Sequence, residues 1–499
     1  ALLYPVEQLK HQGPASSQQQ LPELLNYLDG NVEAPLLPRG NSLLNPNTLE
    51  PLQEQISCSE EQVERALAAA DTAHAKAEWE NTPARQRADV LESIADRLSE
   101  PDTCEAMAQA DSLTTGAVLN VTRTMAQLAP LSFRAAAQYL REGHLDRKLA
   151  GKVGEVEYFR RPWGPALLVT PWNGPTAIGS HKVASALAAG TPCIAKPSEW
   201  APHSAVLMAR VIQEAGLPRG TFQLTCGSRI TGSQMVEDSR IKAISFTGGT
   251  AGGRAISRAS ADDFKPLQLE LGGNNPLVVF PDADLAAAAR GIRFGLTNLN
   301  AQWCRALGRV IVHHSVKDEL LERIAEELSA VVLGDSMDPA SEMGPQIHSG
   351  QYKSVLAELE RLQAAGGTIL QNTSVPALPG YFIPPTLVDG CAPQDTTEEI
   401  FGPVACVHSF DTEAQALQLA NGTEYGLAAY TYSADIEAAF AFSRKLRTGG
   451  VKINGYNLLS LSPQAPRGAW GISGLGEEGT GHTIEFFTGA RVVGIAPGP

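Results

Sequence analysis

Six short segments of this 499-residue chain carry side chains that can do chemistry. Cys304 lies in LNAQWCRALGR, and a thiolate there would be a strong nucleophile. The segment reads as the start of a helix, whose free amides would stabilise a thiolate and donate to an oxyanion. Glu270 ends a strand-like run in QLELGGNNP, where burial would raise its pKa and suit it to general-base work. Asn173, in VTPWNGP, sits where a strand gives way to a turn, and its amide can donate to a developing negative charge. AKPSEW places Lys196, Ser198 and Glu199 just past another strand, and ammonium and carboxylate can both bind the hydroxyls of a ribose. FTGGTAGG sets Gly248, Gly249, Gly252 and Gly253 before a helix, where backbone amides can approach a phosphate. Glu399 and Phe401 form an acidic-aromatic turn in EEIFGP. Singly, each has an ordinary explanation as a packed thiol, a solvated carboxylate or a polar turn.

The surrounding pattern supplies elements to hold these residues. From Ser59, SEEQVERALAAADTAHAKAEWE has helical spacing behind a capping serine, and TPARQRADVLESIADRLSE follows with Pro83 just inside its start. More helical pattern covers 101–142. From Pro162, short β-type runs (ALLVTPW, PCIAKPSE, IKAISFTGG, QLELGG, PLVVF) alternate with Ala-rich helices. That alternation predicts an α/β fold with a parallel, doubly wound sheet that binds ligands at its strand C-terminal ends. A second alternating region, about 273 to 460, predicts a second α/β domain. The tail EFFTGARVVGI reads as β-structure. Residues 1–24, rich in Gln, Ser and Pro, read as an extension or a strap on another surface.

Composition narrows the function classes. At 43 % hydrophobic and 19 % charged residues the chain is globular, not disordered. Its 54 acidic against 39 basic residues, net −15, argue against nucleic acid or an anionic membrane as the main partner. No apolar run reaches the ~18 residues of a membrane span, and the start lacks the features of a secretory signal. Seven scattered cysteines read as a reduced, cytoplasmic protein, and no CxxC pair or His cluster suggests a metal. The His313–His314 pair reads as packing or surface.

PWNGP, AKPSE, SFTGG, ELGG, AQWC and EEIFGP, in this order and at these separations, resemble the aldehyde dehydrogenase superfamily from about residue 25 to the C-terminus. The resemblance implies two doubly wound domains and a small β oligomerisation flap. The dinucleotide-binding domain would comprise 25–143 and 163–272, the catalytic domain 273–482, and the flap 144–162 and 483–499. It implies Cys304 as nucleophile, Glu270 as base, and Asn173 with the Cys304 amide as oxyanion hole. It implies cofactor contacts from Thr170, Trp172, Lys196, Ser198, Glu199, Gly232, Gly248, Gly249, Gly253, Glu399 and Phe401. It further implies NAD, with NADP as a possible substitute, a small-molecule aldehyde as substrate, and a homodimer or homotetramer.

The chain departs from the family pattern at several positions. Gly249 replaces a serine, and Ala301 replaces a glycine before the Gln of the cysteine motif. Gly174 and His181 stand at positions usually aromatic or bulky, Arg305 follows the nucleophile, and Arg467 replaces an aromatic of a tunnel-lining loop. Two arginines in one tunnel suggest an acidic aldehyde, and Gly174 leaves room for a bulky one. The alternative is that each arginine pairs with a neighbouring carboxylate. The expected activity is oxidation of an aldehyde to the free acid through a cysteine thioester. Glu270 weighs against a CoA-acylating relative, and the Cys304, Glu270 and Asn173 set weighs against a non-catalytic one.

Overall fold

The computed structural model describes residues 21–458 and 460–498. Most of the expected N-terminal extension, residues 1–20, lies outside the described residues. An eight-stranded sheet carries the first half of the site. Its five central strands are parallel and run in the spatial order Phe222–Leu224, Cys193–Lys196, Ala166–Val169, Ala243–Thr247, Leu267–Glu270. From Ala166–Val169 the chain adds strands first to one side, then to the other. That reversal opens a crevice at the strand C-terminal ends, the place where doubly wound sheets bind ligands.

Both faces of this sheet are covered, as an all-parallel core requires. Ala166 and Leu168 join one apolar cluster with the helices Ala84–Leu98, Leu119–Arg141 and Pro175–Ala188. Leu167, one residue out of phase, joins the opposite cluster with Glu60–Lys76 and Thr250–Ser260. A seven-stranded sheet follows, with Leu307–His313 and Asn275–Val279 at its centre. A third sheet of three antiparallel strands joins Asp146–Ala150, Glu155–Pro162 and Thr488–Val493. The two-residue strand Gly474–Leu475 leaves the second half of the chain and pairs antiparallel with Leu267–Glu270 on the first sheet.

Local sequence explains most element ends. Ser59 accepts from Gln62 N and Gln62 Oε1 accepts from Ser59 N, completing a capping box for Glu60–Lys76. The expected continuous helix through Glu80 breaks instead at Ala77, at φ 54°. A separate turn, Glu78–Asn81, then buries Trp79 and lets its Nε1 donate to Leu187 O at 2.9 Å. Pro83 lies at the N-cap of Ala84–Leu98, not inside it. The tail is not β throughout, because Thr480–Phe486 is helical and buries Thr483 and Ile484. No described helix is long and apolar enough to cross a membrane.

Candidate functional site

Asn173 lies in the turn between Ala166–Val169 and the helix Pro175–Ala188, at the point where the sheet order reverses. Glu270 is the last residue of its strand and is 5 % exposed. Two glycines follow because two loops crowd this strand end. A Cβ on Gly272 would stand 2.1 Å from Glu399 Oε2, and one on Gly273 would stand 2.5 Å from the Cys304 carbonyl. In this close packing Gly273 N donates to Glu399 Oε1 at 2.8 Å.

Cys304 does not begin a helix. The helix Leu285–Thr297 ends in a 3-10 turn, Asn298–Ala301, in which Leu299, Asn300 and Ala301 all have positive φ. Cys304 then occupies a turn before Leu307–His313. With no helix N-terminus beneath it, the thiol is pushed up by burial to about 12, opposed by the nearby Arg305. The loop is held instead at three successive carbonyls. Asn275 Nδ2 donates to Cys304 O at 2.9 Å and to Ala306 O at 2.7 Å. Tyr430 and Tyr456, stacked with centroids 3.6 Å apart, both donate their hydroxyls to Arg305 O. Asn300 donates to Gly116 O and Pro345 O, which anchors the left-handed stretch. Each hydrogen bond contributes about 1 kcal/mol towards holding the strained turn and the loop that follows it.

A buried charge network lies beside Glu270. The pairing of Gly474 with Glu270 brings the following turn alongside, and Arg467 pairs with Glu478 across a short ladder. Glu478 Oε1 accepts from Lys182 Nζ at 3.0 Å, and its Oε2 lies 3.4 Å from Arg467 Nη2. Lys182 is fully buried and also donates to Ser245 Oγ, which donates to Gln268 Oε1 two residues before Glu270. Arg305 Nη2 stands 4.0 Å from Glu270 Oε2. Burial, then the Glu478 charge, raises the Glu270 carboxyl to about 8, against the opposing pull of Arg305, Arg467 and Lys182. Burial also opposes ionisation of Glu478, but the Lys182 and Arg467 charges outweigh it and hold that carboxyl well below the usual range. His181 is driven down to about 3 by burial and by Arg467, so it is neutral, with Nε2 2.9 Å from Thr483 Oγ1.

Lys182 and Glu478 escaped the sequence reading because neither SHK nor EEG is distinctive and 296 residues separate them. Their pairing predicts a stability effect. Lys182→Met leaves Glu478 buried without its nearest cation, which costs about 3–5 kcal/mol. Urea denaturation should show the midpoint falling; an unchanged midpoint would show that the pair contributes nothing.

A second group of predicted residues lies at or beside the C-terminal ends of the same strands. Buried Lys196 donates to Pro197 O at 3.1 Å and lies 3.9 Å from Glu199 Oε2. Thr170 N donates to Lys196 O, and Gly232 packs over the Lys196 side chain, where a Cβ would sit 3.5 Å from Cδ. Ser198 Oγ accepts from Trp200 N in the turn. Gly249 caps Thr250–Ser260 without a side-chain bond, and Gly248 N donates to Glu270 O. Gly253 permits the helix to seat against Leu271, whose side chain would lie 2.6 Å from a Cβ there. Trp172 meets Phe401 edge-on at 5.5 Å, and His348, which the motifs did not single out, packs on Trp200 at 4.3 Å. Glu399 is raised to about 7 by burial, opposed by the Gly273 amide. The uncapped helix start beside the unpartnered, buried Thr247 hydroxyl fits a pyrophosphate, and Lys196 with Glu199 fits a ribose. Among the described residues no group of three His, Cys, Asp or Glu could hold a metal ion.

Comparison with known proteins agrees with this geometry. The model of the aldehyde dehydrogenase family matches residues 38–493. Aminoaldehyde dehydrogenase 1, peroxisomal, of Malus domestica is 34 % identical over 475 residues, covering 92 % of this chain and 93 % of that protein. A betaine aldehyde dehydrogenase of Cereibacter sphaeroides is 36 % identical over 346 residues, covering 69 % and 71 %. The solved structure of betaine aldehyde dehydrogenase from Staphylococcus aureus in complex with NAD+ superposes with a TM-score of 0.90 at 30 % identity, covering 95 % of each chain. Sequence, fold and crevice agree along nearly the whole length, and the chain belongs to the aldehyde dehydrogenase family.

Proposed function

We propose that this protein is an NAD-dependent aldehyde dehydrogenase that releases a free carboxylic acid, with Cys304, Glu270 and Asn173 as its catalytic residues. The observation that carries this reading is the packing of the Cys304 loop and Glu399 against the glycines that follow Glu270. Cys304 Sγ, once deprotonated, adds to the aldehyde carbonyl. The oxyanion is held by the Asn173 amide and the Cys304 N–H, each such donor typically contributing ~10²–10³ in rate. Bound NAD would supply the acceptor for the hydride leaving the thiohemiacetal carbon. The sulfur is then left as a thioester. Glu270 takes a proton from water as that water attacks the thioester carbon; the acid departs and the thiol is restored. Retention of Glu270 favours hydrolysis over transfer to CoA. NADH formation with a panel of aldehydes tests the reading, and no turnover with any of them would defeat it.

The NAD side carries its own prediction. Glu199 at 3.9 Å from Lys196 accepts hydrogen bonds from a ribose diol but repels a 2′-phosphate. Expected is a kcat/KM at least about tenfold higher with NAD than with NADP, equivalent to about 1.4 kcal/mol. Glu199→Ala should narrow the gap. A wild-type preference for NADP would refute the assignment of Glu199.

The three-part organisation is proposed as read from the sequence, supported by the three larger sheets. A homodimer or homotetramer is proposed on the three-stranded sheet, whose edge and tail expose Leu149, Val492, Val493 and Ile495. Light scattering on the purified chain tests it. A reducing, cytoplasmic setting is proposed because all seven cysteines are free. The Malus domestica relative is named as peroxisomal.

A further inference from the structure

We propose that the aldehyde oxidised here carries an anionic group, held by Arg305 and Arg467. The proposal rests on the aldehyde-oxidising reading above. Arg305 makes two contacts, both long: 4.0 Å to Glu270 Oε2 and 3.4 Å to Leu427 O. Arg467 makes one, at 3.4 Å to Glu478 Oε2, and that carboxylate already has Lys182 at 3.0 Å. A guanidinium has five donors, so each arginine keeps most of its hydrogen-bonding capacity for another acceptor.

The charge balance points the same way. The groups facing Glu270 and Glu478 are Arg305, Arg467, Lys182 and His181. His181 is neutral, and Lys182 cancels Glu478. Glu270, raised to about 8, is largely uncharged at neutral pH. Two guanidinium charges remain. Lys452, lowered to about 8 by burial and then by Arg305, adds a further cation that also donates to Asn457. An anion entering this region gains paired, charge-assisted hydrogen bonds. A cation meets repulsion, and the aromatic faces that would compensate it are missing at Gly174, His181 and Arg467. A Cβ at Gly174 would touch only Ile178, at 3.4 Å, so the side chain of the substrate has space there. Because the Arg305 guanidinium stands 4.0 Å from Glu270 Oε2, beside the proposed base, an anionic group held by it lies close to the reacting carbonyl. The cationic betaine aldehyde named for several relatives is therefore expected to be a poor substrate here.

The test compares kcat/KM for succinic semialdehyde, butyraldehyde and betaine aldehyde with wild type, Arg305→Gln, Arg467→Gln and Arg467→Glu. Wild type should prefer the acid, by roughly tenfold or more over butyraldehyde, with betaine aldehyde poorest. Either Gln variant should lower the acid-to-butyraldehyde ratio roughly ten- to hundredfold. Arg467→Glu should shift the ratio towards betaine aldehyde. Succinate should inhibit butyraldehyde oxidation by wild type in competition with the aldehyde, a readout that needs no variant. Preference for butyraldehyde or betaine aldehyde, unchanged ratios in both Gln variants, or no inhibition by succinate would each overturn the proposal while leaving aldehyde oxidation in place. Absence of turnover with all three aldehydes, and with a wider panel, would defeat the oxidation reading itself.

Discussion

Cys304→Ala is expected to abolish aldehyde oxidation while dinucleotide binding persists. Removing the nucleophile of a covalent mechanism typically costs on the order of 10⁴–10⁶-fold in rate. No other thiol can substitute. Cys58, Cys193, Cys226, Cys391 and Cys406 are buried, and burial raises each of these thiols. Cys104 is partly exposed, but its Sγ donates to Leu98 O on the helical layer away from Glu270. The thiol of Cys304 is itself raised to about 12, so the free enzyme holds little thiolate at neutral pH. Deprotonation must therefore accompany attack, with the ionised fraction of Glu270 as the proposed acceptor. NADH formation measures the loss, and quenching of tryptophan fluorescence by NAD measures retained binding, since Trp172 and Trp200 border the crevice. Substantial oxidation by the alanine variant would remove Cys304 from the mechanism.

Glu270→Gln should lower steady turnover by about 10²–10⁴-fold, the usual contribution of a positioned general base. The amide keeps the size of the side chain but cannot accept a proton from water. Hydride transfer precedes hydrolysis, so a burst of up to one NADH per site followed by a stall is expected. A slowed burst would show that Glu270 also deprotonates Cys304. The pH profile separates this role from a packing role. Burial puts the Glu270 carboxyl at about 8, so its basic form accumulates as pH rises towards that value. Wild-type turnover limited by hydrolysis should climb between about pH 7 and 9 and then level off. The Gln variant should lose that climb. Near wild-type steady turnover in the variant would exclude the base role.

The chemistry-bearing residues were largely legible in the sequence because each sits at a strand end or turn marked by glycine or proline. PWNGP, AKPSE, FTGG and ELGG all end parallel strands, and the structure gathers those ends at the C-terminal end of one sheet. Helix ends were less legible. The break at Ala77 comes from the burial of Trp79 against Leu187, a contact 108 residues away that no local pattern encodes.

By itself, then, the sequence determined the family and the alternating parallel fold and pointed to the candidate catalytic side chains, because these depend on residue type and local periodicity. The tertiary structure decided what surrounds them. It removed the helix expected at Cys304 and replaced it with a left-handed turn tied down by Asn275, Asn300, Tyr430 and Tyr456. It put Lys182 and Glu478 beside Glu270, although the three come from segments that share no motif. It also showed that Arg305 and Arg467 each touch a carboxylate, yet at distances that leave them most of their donors. Electrostatic energy in a buried site depends on distances of a few ångströms between groups far apart in the chain, and only the packed fold sets those distances.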